Sequence, residues 1–346
     1  MYLKYRLDGS VYDLRRLNAK TKVTERLILE ALFADDCALM AHKEADLQLI
    51  VDKFAEASRL FGLTISLGKT EVLLQSAPAT AAPPPSISID GTRLKTVEDF
   101  KYLGSTISSN GTLDKEISAR ISKASKALGR LHVRVLNQHN IQQSTKMKVY
   151  KAAVLSSLLY GCETWTLYRR HLKLLELFHM RSLRSILGIR WQDKISNLEV
   201  LDRAKCTSIE AMIVKIQLRW TGHVIRMDDT RIPKQLLYGE LSLGKRHQGR
   251  PRKRFKDCVK SHLAHAGIGI KQLEHHALDR NGWRALIKTA HDTFEEKRRI
   301  GIAGARERRK AAAAATPTAQ AQFQCPHCGR LCRSRIGLQS HLRVHM

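Results

Sequence analysis

The stretch that decides the fold is Leu27-Ile28-Leu29 and Ala31-Leu32-Phe33-Ala34, followed by Asp35-Asp36 and then Cys37-Ala38-Leu39-Met40. Read as a hairpin, the two apolar arms press against a buried sheet and hold both carboxylates at a tight turn. Bare charges there are costly unless they coordinate cations. Mg²⁺ suits such a place, since it prefers carboxylate oxygens and completes its shell with phosphate and water. A helix over 30–41 fits the same pattern, and the residues alone leave both readings open.

Working outward, residues 2–13 read as short alternating strands about a turn at Asp8-Gly9. Downstream, 43–61 carry a helical stripe of Leu47, Ile50, Val51, Phe54 and Leu60, which Gly62 ends. Leu63, Ile65 and Leu67 then alternate as a strand leading to Lys69-Thr70-Glu71-Val72-Leu73. Residues 76–86 are a Pro/Ala-rich loop by composition. Ile87, Ile89, the Asp90-Gly91 turn and Phe100-Lys101-Tyr102-Leu103-Gly104 suggest a small antiparallel element. From Asp114 onward the spacing is helical, with helices expected over 117–135, 141–159, 169–187 and 196–219. Trp165, Trp191 and Trp220 each lie beside apolar residues and are expected to anchor the core. Residues 301–322, with Arg306, Arg308, Arg309, Lys310 and five alanines, read as a tether.

Charge divides the chain. Residues 1–76 carry 11 basic and 11 acidic residues, so the whole formal charge of +28 falls on 77–346. A field of one sign confined to part of a chain argues for a polyanionic partner, RNA or DNA, over mixed surface charge. The helix over 117–135 sharpens this expectation. Ile117, Ile121, Ala124, Leu128, Leu131 and Val135 form one side, and Arg120, Lys123, Lys126, Arg130 and Arg134 the other, without an acidic residue in that span. Ordinary exposed helix faces mix signs in i, i+4 pairs, so this one is read as lying along a phosphate backbone. The cluster Arg250, Arg252, Lys253 and Arg254 is either a second phosphate patch or a nuclear-import signal. Scattered single cysteines and the absence of a secretory signal or an apolar run of ~20 residues predict a reducing, intracellular and nuclear setting without membrane insertion.

At the C-terminus, Cys325, Cys328, His341 and His345 form a C-x2-C-x12-H-x3-H array. Two thiolates from a knuckle and two imidazoles one helical turn apart close a tetrahedron around Zn²⁺. Phe323 and Leu338 supply apolar support, while Cys332 occupies the third core position, usually aromatic, where its thiolate can compete for the metal. The base-facing positions of such a finger are Ser334, Gly337 and Ser340, which discriminate little. Arg333, Arg335 and Arg343 suit phosphates.

Phe33-Ala34-Asp35-Asp36 resembles the F/Y-x-D-D motif of reverse transcriptases, and the order of motifs after it resembles non-LTR (LINE-like) retrotransposons. Gly62-Leu63-Thr64-Ile65-Ser66 with Lys69-Thr70-Glu71 is similar to the next palm motif, with Ser66 where the family commonly has Asn. Phe100 to Ser105 is similar to the primer-grip hairpin. Leu159-Tyr160-Gly161-Cys162-Glu163-Thr164-Trp165, Arg219-Trp220-Thr221-Gly222-His223-Val224 and Gly249 to Arg254 resemble the thumb and the region after it. The resemblance implies an α+β architecture: a partial reverse-transcriptase palm sheet over 1–75, a loop at 76–86, the grip hairpin and first thumb helix over 87–136, a predominantly helical basic thumb-like region over 137–300, a tether at 301–322 and a terminal ββα zinc finger over 323–346. It implies metal-binding and catalytic roles for Asp35 and Asp36, a role for Lys69 near the leaving group, and a primer-holding role for Tyr102, Leu103 and Gly104. It also places the family's remaining catalytic Asp ahead of residue 1. A truncated RNA-directed DNA polymerase remnant is therefore expected, binding Zn²⁺ and nucleic acid and inactive alone, with Mg²⁺ bound only in a completed polymerase site. The palm piece is expected to expose an apolar edge. The competing expectation is a non-enzymatic C2H2 zinc-finger protein that binds nucleic acid; a third is an incomplete gene product. A cytoplasmic ribonucleoprotein is the alternative to the nucleus.

Overall fold

The structure is a computed structural model that describes residues 1–75, 83–242, 252–315, 323–332 and 334–345. The chain divides into two units, Met1–Phe294 and Glu295–Met346. The first begins with short elements: β1 (Tyr2–Tyr5), β2 (Thr24–Leu27), β3 (Glu30–Phe33), β4 (Asp36–Leu39), α1 (Glu44–Leu60), β5 (Glu71–Leu73), β6 (Ser88–Ile89), β7 (Thr92–Arg93), β8 (Lys95–Val97), β9 (Asp99–Tyr102) and β10 (Ser105–Ser108). A helical body follows: α2 (Asp114–Leu131), α3 (Gln143–Val149), α4 (Ser156–Leu158), α5 (Arg169–Leu187), α6 (Asn197–Arg203), α7 (Ile209–Ile225) and α8 (Ile232–Tyr238). It closes with β11 (Gly239–Leu241), α9 (Phe255–His265), α10 (Leu273–Leu278) and α11 (Arg280–Ala315), which runs on into the second unit. β12 (Phe323–Gln324), β13 (Leu331–Cys332) and α12 (Arg335–Leu342) complete the chain. The architecture is α+β, with small sheets and a large helical part.

Local chemistry places the turns. Asp90 and Gly91 join β6 to β7 with φ of 48° and 75°, and Leu103 and Gly104 join β9 to β10 with φ of 47° and 78°. Positive φ at both central residues matches the twist of the flanking strands. Helix ends follow their caps: Ser196 accepts from the Glu199 amide, and Ser208 from that of Ala211. That second cap splits the helix expected over 196–219 into α6 and α7. The helix expected over 141–159 is continuous but passes through wide turns at Tyr150–Leu155.

Several expectations change. Residues 10–13 do not form a strand; β1 instead lies between β2 and β11, pairing Leu3 with Arg26 and with Leu241. Residues 63–67 are irregular, because the Ser66 carbonyl takes the amides of Lys69 and Thr70 and closes a turn. Of the tether expected over 301–322, residues 301–315 are helical as the end of α11, and 316–322 lie outside the described residues. Trp165 is buried, Trp220 half-buried and Trp191 83% exposed, so only the first is a full core anchor.

α7 is the central beam of the helical body. Ile209 and Ile213 join a core built from α2 to α6, and Val214 and Leu218 join a second core with α9, α10 and the start of α11. Trp283 is 1% exposed, donates its indole N–H to the Leu218 carbonyl at 3.1 Å, and lies against Gly222. A methyl group at Gly222 would fall 2.0 Å from the indole nitrogen. Gly222→Ala should therefore destabilise the protein by ~1–3 kcal/mol. Gly129→Ala, on α2 with open space around it, should stabilise it by up to ~1 kcal/mol. Thermal unfolding of both variants, with circular dichroism to confirm helix content, reads these opposite signs.

Candidate nucleic-acid interface and metal centre

β3 and β4 form a hairpin, which decides against the helical reading. Phe33 pairs with Asp36, so Ala34 and Asp35 are the two turn residues, with Ala34 at φ 50°. A residue with a Cβ is rarely found there, at a cost of order 1 kcal/mol or more. The arms are not buried as expected. Leu32 and Phe33 are 53% and 63% exposed, and both aspartates face solvent. The reason is topological: the hairpin is a sheet of two strands, with no further strand along either edge among the described residues. Leu27, Leu29, Leu49, Leu60, Phe61 and Leu63 are exposed as well.

Lys69 is exposed in the turn that follows Ser66, and its side chain bonds neither aspartate. Among the described residues, no third acid joins Asp35 and Asp36 in a cluster able to share an ion. The donor set does not fit a two-ion Mg²⁺ centre.

The Tyr102-Leu103-Gly104 turn does reach the hairpin. Tyr102 donates its hydroxyl to the Ala31 carbonyl of β3 at 2.9 Å. Partial burial, and next the negative charge of Asp36, push the Tyr102 phenol upward from its ordinary pKa. On its other side the turn is fastened to α2. Glu116 and Arg120 pair at 2.6 Å with side chains 2% and 4% exposed. Glu116 also accepts the Thr106 amide at 2.7 Å. Arg120 donates to the Gly104 carbonyl at 2.8 Å and the Ser105 hydroxyl at 3.2 Å, and its guanidinium lies 4.6 Å from the centre of the Tyr160 ring. Tyr160 in turn donates to the Leu103 carbonyl at 3.1 Å. Gly161 follows at φ 78°, and the carbonyls of Cys162 and Trp165 accept from the buried Gln217 at 2.9 and 2.8 Å. Gln217 was missed in the sequence, where a lone Gln inside an apolar helix carries no signal of its partners.

This geometry corrects one of the expected phosphate contacts and gives several others a partner within the chain. Arg120 is consumed inside the fold. Lys253 donates to the Leu167 carbonyl at 3.3 Å, and Arg254 pairs with Glu240 at 2.9 Å. Arg252 is exposed but donates to the Asn110 carbonyl at 2.5 Å; Arg250 lies outside the described residues. Lys123 is exposed and touches the Gly104 carbonyl at 3.0 Å. Lys126 and Arg130 on α2, and Arg134 in the wide turn His132–Leu136 that continues it, are exposed with no acidic partner among the described residues. They form one open basic stripe.

In the second unit, Cys325, Cys328, His341 and His345 bring one ligand atom each to within 4.8 Å of one another. A tetrahedron with Zn–S near ~2.3 Å and Zn–N near ~2.0 Å has edges of about 3.3–3.8 Å, so the four groups could hold one ion after a small inward shift. β12 and β13 pair Phe323 with Cys332, and the Gly329 amide donates to the Cys325 carbonyl to close the knuckle. Burial acts to raise the Cys325 thiol, yet amide donors from His327 and Cys328 leave it lowered from its ordinary value. Desolvation, then His345, lower His341, favouring the neutral imidazole. Cys332 is not part of the cluster. The Ser334 hydroxyl accepts the Gly337 amide at 3.0 Å as the helix cap; Arg333 lies outside the described residues.

No family model and no solved structure matches the chain. It is similar to a transposon-derived protein of Caenorhabditis elegans, 25% identical over 278 residues that cover 77% of this chain and 98% of that protein. It is also similar to the RNA-directed DNA polymerases from mobile element jockey of Drosophila funebris, 25% identical over 195 residues, and of Drosophila melanogaster, 22% identical over 187 residues. Those matches cover 54% and 52% of this chain but 21% and 20% of the polymerases, so it spans about a fifth of their length. The chain is thus retrotransposon-related.

Two outcomes are expected. Glu116→Ala leaves a buried guanidinium without its carboxylate and should destabilise the fold by ~3–5 kcal/mol in chemical denaturation, whereas Glu116→Leu with Arg120→Met should lose much less. Co²⁺ titration of the full chain should give one tetrahedral thiolate–imidazole spectrum, abolished by His345→Ala and kept by Cys332→Ala.

Proposed function

We propose that this chain is a retrotransposon-derived nucleic-acid-binding protein, a reverse-transcriptase remnant that grips polynucleotides, binds zinc and does not polymerise alone. Residues 1–75 would correspond to part of a palm, 87–136 to a primer grip with the first thumb helix, and 137–300 to a thumb and the region after it. The similarity to jockey polymerases supports the ancestry. The observation that carries the binding role is the open stripe of Lys126, Arg130 and Arg134, exposed and with no acidic partner among the described residues. Each cation neutralises a phosphate and releases a counterion, so binding is tight at low salt and weakens steeply as salt rises.

In this reading the residues divide by task. Tyr102, Leu103 and Gly104 keep a rigid turn beside Asp35-Asp36, positioned by Glu116 and Arg120. The stripe tracks one backbone, and the finger adds a weak contact through Arg335 and Arg343, with Zn²⁺ holding its fold. The aspartates would retain the turn of a polymerase hairpin, while no third carboxylate for in-line phosphoryl transfer through two metal ions joins them among the described residues.

The test is binding of a short DNA duplex by the full chain across a salt series. Changing Lys126, Arg130 and Arg134 to Ala should make the slope of log K against log salt shallower by ~0.9 for each lost contact. Lys253→Ala and Arg254→Ala should leave the slope unchanged and lower stability instead. An unchanged slope in the triple variant would refute the stripe as the interface.

A further inference from the structure

Among the described tryptophans, Trp191 stands apart. Trp165 and Trp283 are 3% and 1% exposed, whereas Trp191 is 83% exposed. A tryptophan held so far into water is unusual, since its large apolar face gains most from burial.

The turn that carries it is braced. Gly188 ends α5 at φ 67°, and the Ile189 amide returns to the Arg184 carbonyl at 2.9 Å. Arg184 then reaches forward to the Ile195 carbonyl at 3.0 Å and the Asn197 side chain at 2.8 Å. Asp193 accepts the Arg190 amide at 2.7 Å, so the acid of this turn is engaged in shaping it. Ile189 and Ile195 pack against the first core while Trp191, between them, does not. The flanking side chains that share its exposure include Arg190 and Lys194.

Its level along the bundle relative to the basic stripe follows from two pins. Near the start of α2, Asp114 binds Arg170 at 2.8 Å and His171 at 3.0 Å, both near the start of α5. Just beyond the end of α2, His132 meets Ser185, in the last turn of α5, at 3.2 Å. The helices therefore run parallel, and their C-terminal ends lie at the same end of the bundle. Arg130 and Arg134 close the stripe at that end, and the Trp191 turn leaves α5 there.

We infer that Trp191 is a base-stacking platform for an unpaired polynucleotide strand whose phosphates lie on the Arg130–Arg134 end of the stripe. An exposed aromatic face set among cations matches the two surfaces a single strand offers, a planar base and an anionic backbone. A duplex hides its base faces and gains nothing from the tryptophan. The inference rests on the nucleic-acid reading above and adds to it a preference for unpaired strand at one residue.

The experiment uses the full chain with a fluorescein-labelled oligodeoxyadenylate and a duplex of equal length at fixed salt. Trp191→Ala should weaken single-strand binding by roughly 5- to 150-fold and leave duplex binding unchanged. Trp191→Phe should restore most of the loss. The single strand should also protect wild-type fluorescence from iodide, an effect absent in Trp191→Ala. Because the residue is on the surface, the variant should keep its circular dichroism and melting midpoint. Single-strand affinity of Trp191→Ala within twofold of wild type overturns the inference and leaves the binding function standing. Wild-type protein that binds neither oligonucleotide defeats the nucleic-acid reading itself.

Discussion

A carboxylate and a guanidinium four residues apart, Glu116 and Arg120, are withdrawn together from water, and the site of this molecule is organised around them. Their desolvation is offset by what else they bind. Glu116 accepts from the amide of β10, and Arg120 satisfies the outward carbonyl of the turn before it. Tyr160 covers the guanidinium and holds the other turn carbonyl. A turn with positive φ at Leu103 is thereby fixed on both sides, and its Tyr102 hydroxyl reaches the aspartate hairpin. Remove one charge and the other is stranded in a medium where it is poorly solvated. A short series of hydrogen bonds thus links α2 to β3.

Much of this was legible where the signal is local. The Asp90-Gly91 turn, the antiparallel element at Phe100 to Ser105, the α1 helix with its Gly62 stop, and the ligand spacing around Cys325 and His345 depend on near neighbours in sequence, and the structure has them. The Arg120 error was also local. Its partner, Glu116, stands one residue before the window that seemed free of acids, so a helix face read as uniformly basic begins with a buried ion pair. Trp191 misled for a different reason: apolar neighbours at Ile189 and Ile195 suggest burial, yet a braced turn between them points the indole outward. The pairing of β1 with β11 spans more of the chain than any local pattern encodes, and Lys253 and Arg254 read as a free cluster because Leu167 and Glu240 are distant in sequence.

The strong positive charge consequently does two jobs. Arg120, Lys253 and Arg254 hold the helical body together, with carbonyls and carboxylates as their counter-groups. Lys126, Arg130 and Arg134 remain on the surface, and they supply the charge that a polyanion would meet. The hairpin with Asp35 and Asp36 has a turn strained at Ala34, on a sheet of two strands whose apolar arms are open. The ligand set for two cations is incomplete there among the described residues.

As proposed, a polynucleotide grip would stand beside an acidic turn that lacks the means to transfer phosphoryl groups. The direct measurement is primer extension on a DNA or RNA template by the purified full chain with Mg²⁺ or Mn²⁺, under salt at which binding is first shown. The account predicts a retained complex and no extended product. Extension that disappears in Asp35→Ala would contradict it.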